Sequence, residues 1–413
     1  MRFKLSEQKD GGRHGLLTTR NGVVNTPFFM PDATRAVIRG VTADEIGRSG
    51  IKALVVNTYH LFLQPGEALI KNAGGIHRFM NWNGPVLSDS GGYQVYSLIH
   101  KSPEMGKITE DGAEFKSVFD GSRHLLTPER AIQIQFDLGV DMMVCLDDPR
   151  PNDASEEEID LAVERTLRWA KRCKMEFDRQ VSERGMTEEN RPLLFSVVQG
   201  GMIVALRKKC AEGLIEIGFD GYGFGGRHID GEGNFLEEIV RETARFIPKE
   251  SIRFALGIGT PSDIVRCHAL GWDMFDCVIP TREGRHGRLF VMNDNQTEFP
   301  ISNFQFPNKS QVLISNDQKE DPRFVIPGLI RDPDSGSEAG MTNESFYETI
   351  NIVNEQFKED FTPVDASCDC ELCTNYTKAY LKHLFRVADP LAGRLASMHN
   401  LRFYARLMES LRK

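Results

Sequence analysis

Eight short apolar runs, each followed by a helix-like stretch, set the tightest limit on what this chain can fold into. They are Thr26–Pro31, Ala53–Asn57, Gly84–Asp89, Asp141–Asp147, Leu193–Gln199, Gly221–Gly226, Arg253–Gly257 and Met274–Ile279. Their hydrophobicity is continuous rather than alternating, the pattern of strands buried on both faces of a parallel sheet. The connecting segments read as helices. From Ala154 to Val181, Glu156, Glu157 and Glu158 sit near the start and Lys171, Arg172 and Lys174 come later, matching a helix dipole. Strand and helix repeated eight times predict an α/β chain whose sheet closes as a (β/α)8 TIM barrel over residues 1–290. An open doubly wound sheet is the alternative.

The totals narrow the class. Of 413 residues, 40% are apolar, ample for a large core, yet no apolar run reaches the length that crosses a membrane. The start, Met1 to Glu7, has no apolar stretch of the kind that directs secretion. Five of the eight cysteines are scattered from Cys145 to Cys277, as expected for small core residues of a reducing compartment, here the cytoplasm. A net charge of −9 argues against indiscriminate nucleic-acid binding but leaves room for a local basic site. Positive charge gathers in Arg282–Arg288 and in a C-terminal series from Lys378 to Lys413, the latter readable as a solvated helix face.

Chemistry in a barrel sits where the strands end. The runs end in Asp89, Asp147, Gln199, Gly225-Gly226 and Asp276. Asp147 can accept from ring N–H and amine groups, Gln199 can donate to a carbonyl, and the Gly226 N–H can do likewise with no side chain in the way. Tyr93 offers a stacking face with Leu256 opposite. Each is weak evidence alone, since a strand-end Asp is more often a helix cap. Asp273 reads as the start of the last strand. Asp276, between Phe275 and Cys277, is either ion-paired to an arginine of the following loop or a nucleophile. Once the base-reading groups are assigned, two acids remain, and paired acids across an anomeric carbon perform retaining glycosyl transfer. Asp276 is then the nucleophile and Asp89 the acid/base.

After Arg288 the chain turns polar and proline-broken, predicting an irregular insertion over residues 291–353. Residues 354–413 carry Cys368, Cys370 and Cys373, which need a fourth ligand for tetrahedral zinc. His399 is the better candidate, because His383 sits in a helical stretch that turns it outward. Such a Cys3His site is structural, holding a small zinc-binding subdomain and C-terminal helices together.

Ser88-Asp89-Ser90-Gly91-Gly92-Tyr93-Gln94-Val95, Val198-Gln199-Gly200, Asp273 to Arg282 and the Cys-x-Cys-x2-Cys…His cluster together resemble a tRNA-guanine transglycosylase. Asn57 to Leu61 and Ile217 to Tyr222 add to the likeness. The resemblance implies exchange of guanine at the tRNA wobble position for a 7-deazaguanine base through a covalent link from Asp276 to C1′, with Asp89 moving the proton. It implies that Asp147, Gln199 and Gly226 hold the base and that Asp89, Ser90, Gly91, Gly92 and Tyr93 frame it. It places tRNA contacts on Gly257, Ile258, Gly259, Thr260, Pro261, Ser262 and Asp263, and on Thr281, Arg282, Glu283, Gly284 and Arg285. It further implies structural Zn2+, a homodimer, and no ATP or nicotinamide.

Three departures stand out: the polar insertion, Arg227 in a stretch one residue longer than the bacterial form, and Pro149 after Asp147-Asp148. The last two lie where the 7-substituent of the incoming base would sit, which leaves the choice among preQ1, preQ0 and queuine open; preQ1 is the expectation, with preQ0 and queuine as alternatives. A non-catalytic tRNA-binding subunit is disfavoured by Asp89, Asp147 and Asp276 occurring together. A metal-dependent barrel hydrolase is disfavoured by the lack of His-x-His at the strand ends.

Overall fold

The computed structural model describes residues 2–9, 11–293 and 346–413. Eight parallel strands form its centre: β1 (Phe28–Pro31), β2 (Leu54–Asn57), β3 (Val86–Asp89), β4 (Met142–Val144), β5 (Leu193–Val198), β6 (Gly221–Phe224), β7 (Ile252–Ala255) and β8 (Met274–Cys277). Their order in the sheet is β1-β8-β7-β6-β5-β4-β3-β2. The Ala33 N–H donates to the Val55 carbonyl at 2.7 Å, and Asp32 bridges Val55, bringing the two edges together. The sheet is therefore a nearly closed barrel, and the open doubly wound alternative is excluded.

Each strand buries both faces, which is why the runs are continuously apolar. Phe28, Met30, Leu193, Phe195, Val197, Phe254 and Met274 fill the barrel interior. Phe29, Leu194, Val198, Phe224 and Phe275 face the surrounding helices. Below the barrel lies an antiparallel sheet (Phe3–Lys9, Gly12–Thr19, Gly22–Thr26), whose Phe3, Leu17 and Val24 join the interior cluster. A second antiparallel sheet (Gly106–Ile108, Ala113–Lys116, Arg123–Leu126) sits between β3 and β4. The strand count along the sequence missed both, because they bury one face and lack the continuous apolar signal.

The helices used below are α1 (Gly92–Lys101), α2 (Glu156–Glu183), α3 (Val204–Ile217), α4 (Pro261–Ala269), α5 (Ile279–Arg285), α6 (Lys378–Arg386) and α7 (Pro390–Leu411). In α2 the acidic start is a capping box: Ser155 accepts from the Glu158 N–H, and the Glu158 carboxylate accepts from the Ser155 N–H at 3.0 Å. Helix α5 corrects the reading of a loop after Ile279. Pro280 falls in the first turn, where a missing N–H does no harm. Gly284 lets α5 lie against α7: a Cβ there would sit 2.7 Å from the Ser397 nitrogen.

Beyond α5, β9 (Arg288–Met292) and β10 (Tyr347–Asn351) form an antiparallel ladder from Arg288–Asn351 to Met292–Tyr347. The two ends of the supposed irregular stretch are thus regular strands. Leu289, Phe290 and Tyr347 supply the buried side chains that hold them down. The rest of the expected insertion, 294–345, lies outside the described residues. Among the described residues, no helix is long and apolar enough to cross a membrane.

Candidate active site and metal centre

The strand-end residues converge at one mouth. Asn57 and Asp89 pair in register at the ends of β2 and β3, and Asn57 Nδ2 donates to Asp89 Oδ2 at 2.7 Å. The backbone N–H groups of Ser90 and Gly91 and the Gln94 side chain also donate to this carboxylate. Gly91 must be glycine: its φ is +83°, and a Cβ would stand 2.7 Å from Tyr59 Cβ. The turn it permits sends the chain into α1, presents half-buried Tyr93, and brings Gly92 against Asp147. A Cβ on Gly92 would lie 3.1 Å from Asp147 Oδ1. Ser90 is buried, its Oγ accepting from the Gly92 N–H at 3.2 Å.

Gln199 Nε2 donates to Asp147 Oδ2 at 2.7 Å, tying the end of β5 to the segment after β4. Gly225 leaves room for this amide, since a Cβ there would meet Gln199 Nε2 at 2.4 Å. Gly226 follows with φ +86°. Leu256, partly buried, packs on Gly223 at the end of the adjacent strand.

Asp276 Oδ1 accepts from the Gly257 N–H at 2.8 Å. No arginine pairs with Asp276 among the described residues, so the ion-pair alternative weighed from the sequence does not occur. Asp273 takes that role: it is fully buried and bound to Arg13 at 3.1 Å, and it accepts from the Arg253 N–H at 2.8 Å.

The three strand-end acids carry a common electrostatic signature. Burial pushes Asp276 up to about 7, with the nearby Asp89 charge pushing the same way and the Gly257 N–H opposing. Burial pushes Asp147 up to about 7, against its bond from Gln199 and with help from Asp89 and Asp148. Asp89 rises to about 6 through burial, restrained by its four donors. Acids crowded this way favour sharing protons over full ionisation, the condition under which one acts as acid while another attacks.

The two segments expected to meet RNA are differently placed. In 257–263, Gly257 is exposed, and Thr260 and Ser262 are partly so. Ile258, Gly259 and Pro261 are buried, and the Gly259 carbonyl accepts from the Tyr404 hydroxyl at 2.6 Å. Asp263 turns inward, bound by Thr260 Oγ1 at 2.6 Å and close to His228 Nε2 at 3.1 Å. In 281–285, Thr281 and Gly284 are buried against α7, while Glu283 pairs with Arg282 at 3.4 Å and Arg288 at 3.3 Å. Arg285 is held down to about 10 by burial and by the charges of Arg39 and Arg282. That crowding of cations marks an attractive position for a phosphate.

Sequence reasoning passed over two groups. Asn57 stood at a strand end in plain view but was given no role. Arg207, on α3, is 1% exposed and donates to the carbonyls of Gly201 at 2.7 Å, Val198 at 3.2 Å and Gly225 at 3.0 Å. Only the fold brings it to these strand ends.

Away from the mouth, Cys368, Cys370, Cys373 and His399 place their donor atoms within 4.8 Å of one another, as four ligands around one ion require. His399 Nδ1 faces Cys370 and Cys373, and Nε2 lies 2.8 Å from the Phe290 carbonyl, to which it can donate, leaving the Nδ1 lone pair directed toward the cysteines. His383 is exposed on α6, as expected of the rejected candidate.

The family profile described as Queuine tRNA-ribosyltransferase matches residues 8–413. A queuine tRNA-ribosyltransferase of Thermoanaerobacter pseudethanolicus is 36% identical over 412 residues, covering 100% of this chain and 92% of the relative. One from Caldanaerobacter subterraneus is 37% identical over 401 residues, covering 97% of this chain and 89% of the relative. One from Aliivibrio fischeri is 37% identical over 413 residues, covering 100% and 92%. With its barrel, its strand-end acids and these full-length similarities, the chain belongs to the queuine tRNA-ribosyltransferase family of enzymes.

Proposed function

We propose that this enzyme exchanges guanine at the wobble position of GUN-anticodon tRNAs for a 7-deazaguanine, preQ1, through an aspartyl-ribose intermediate, as a step of queuosine biosynthesis. The observation that carries this reading is the setting of Asp276: buried at a strand end, held by the Gly257 N–H, without an arginine partner among the described residues, and close enough to Asp89 to feel its charge. Asp89 and Asp276 share one proton; with it on Asp89, ionised Asp276 attacks C1′ as the C1′–N9 bond breaks, and Asp89 passes that proton to the departing guanine. The incoming base then loses its N9 proton to Asp89, attacks C1′ and releases Asp276. Asp147, Gln199 and the Gly226 N–H hold either base between Tyr93 and Leu256.

The preference for preQ1 is supported by Asn152. Its Nδ2 donates to the carbonyls of Arg227 at 3.1 Å and Ile229 at 3.2 Å, so its Oδ1 faces the other way, buried and without a donor among the described residues. That oxygen would lie 3.7 Å from a Cβ on Gly226, beside the proposed base site. An aminomethyl group supplies the missing donor and a nitrile does not. The Cys3His group fits structural Zn2+ in donor type and spacing. Exposed apolar side chains on the same part of the chain, Val353, Phe361, Tyr380 and Val387, support a homodimer through that region. A tRNA substrate and the five cysteines outside the Cys3His group, all buried and none in a disulfide, support a cytoplasmic location.

The test is a competition of preQ1, preQ0 and queuine against labelled guanine on a GUN-anticodon tRNA, with denaturing capture of the RNA-protein link. Asp276→Asn is expected to bind tRNA without exchange or capture, and Asp89→Ala to turn over poorly. Undiminished exchange by Asp276→Asn overturns the nucleophile; preferred release of guanine by preQ0 overturns the choice of base.

A further inference from the structure

Arg207 is a buried guanidinium with no carboxylate partner among the described residues, an expensive placement unless its donors are needed. Burial alone holds it down to about 9. It lies between the barrel and α3, its guanidinium 4.2 Å over the Phe224 ring. Its three acceptors are not scattered. Val198 and Gly201 bracket Gln199 at the end of β5, and Gly225 shares a peptide bond with Gly226 at the end of β6. Gly200 lets the start of α3 come this close, since a Cβ there would stand 2.5 Å from the Arg207 backbone nitrogen.

A trans peptide points its C=O and N–H in opposite directions. The Gly225 carbonyl faces Arg207 Nη2, so the Gly226 N–H is aimed away from the helix layer. Among the described residues that N–H meets no acceptor. Gly226, at φ +86°, belongs to a residue type that rotates its peptide readily, so the unliganded donor needs an outside restraint. A rigid fork that holds neighbouring carbonyls at once provides it, and a lysine would provide only part of it.

We propose that Arg207 is a positioning residue for base recognition, locking the Gly225–Gly226 peptide and the Gln199 backbone so that the Gly226 N–H is presented to the base. The inference rests on the proposed base exchange and adds a residue that touches neither base nor ribose. Its effect falls on binding of the base and not on binding of tRNA.

The experiment measures guanine exchange in the full-length enzyme with R207M, R207Q and R207K, varying labelled guanine at saturating tRNA and then the reverse. R207M and R207Q are expected to raise KM for guanine about tenfold, the worth of one well-placed hydrogen bond, with KM for tRNA within twofold of wild type. R207K is expected to recover part of the loss. If R207M does not fold, R207Q and R207K decide. A fall in kcat and Tm with both KM values unchanged overturns the proposal in favour of simple support, as does an unchanged KM for guanine. A wild-type protein that exchanges no guanine overturns the underlying reaction instead.

Discussion

Asn57 on β2 donates to Asp89 on β3 at 2.7 Å, one register position shared by two neighbouring strands. The bond favours the ionised carboxylate and offsets part of the burial that pushes Asp89 up to about 6. Asn57→Ala removes a donor to the charged form, so the Asp89 pKa moves higher, by about one unit for one hydrogen bond. The pH profile of guanine exchange should shift its Asp89 limb toward alkaline pH. An unmoved limb would detach Asp89 from the proton transfer.

Asp276 makes a second pH prediction, on stability. Its folded pKa of about 7 stands above the ordinary aspartate value of 3.8, so the native state favours the neutral acid. That preference is fully present below the ordinary carboxylate range and is lost as pH rises through about 7. Asp276→Asn mimics the neutral form, so it should match wild type near pH 4. Above pH 7 it should gain on the order of 2–4 kcal/mol in thermal or urea unfolding. A variant no more stable than wild type at pH 8 would contradict the electrostatics.

Arg13 and Asp273 are expected to be structural. Arg13→Met leaves a buried carboxylate uncompensated, which destabilises by about 3–5 kcal/mol. Calorimetry should show a lower Tm, while the folded enzyme keeps its KM for guanine and tRNA. Adding Asp273→Asn should restore part of the loss, and a double variant worse than the single would refute the pairing.

Cys370→Ser removes one member of the Cys3His group. Metal analysis should find zinc near one per chain in wild type and well below that in the variant, with a lower Tm. A wild-type chain that purifies and unfolds identically with and without chelator would refute the site.

Much of this molecule could be read before its shape was known, because buried parallel strands announce themselves on both faces. All eight runs overlap the observed barrel strands, and the helix read from Ala154 to Val181 is observed as Glu156–Glu183. What escaped depends on distance along the chain. The partner of Asp273 is Arg13, 260 residues away, and no local pattern reports it. Arg207 looked like any basic residue of an amphipathic helix until the ends of β5 and β6 closed over it. The arginines after Ile279 suggested an open loop, whereas contact with α7 makes that segment helical. The ladder of β9 with β10 was hidden because its two halves stand on either side of a long polar stretch.

Helix α7 gives the C-terminal part a reach that its position in the chain does not suggest. Over 22 residues, about 33 Å at the usual rise, it holds Glu45 through Arg394, brings His399 to the three cysteines, clasps the Pro280 and Arg288 carbonyls with Asn400, and anchors Gly259 through Tyr404. At its far end Arg412 donates to the Pro27 carbonyl, at the opposite lip of the barrel. A metal held by these cysteines, as proposed, would steady that helix at one point, so a chelating compound acting there would loosen contacts as distant in the chain as Gly259 and Pro27 without entering the pocket.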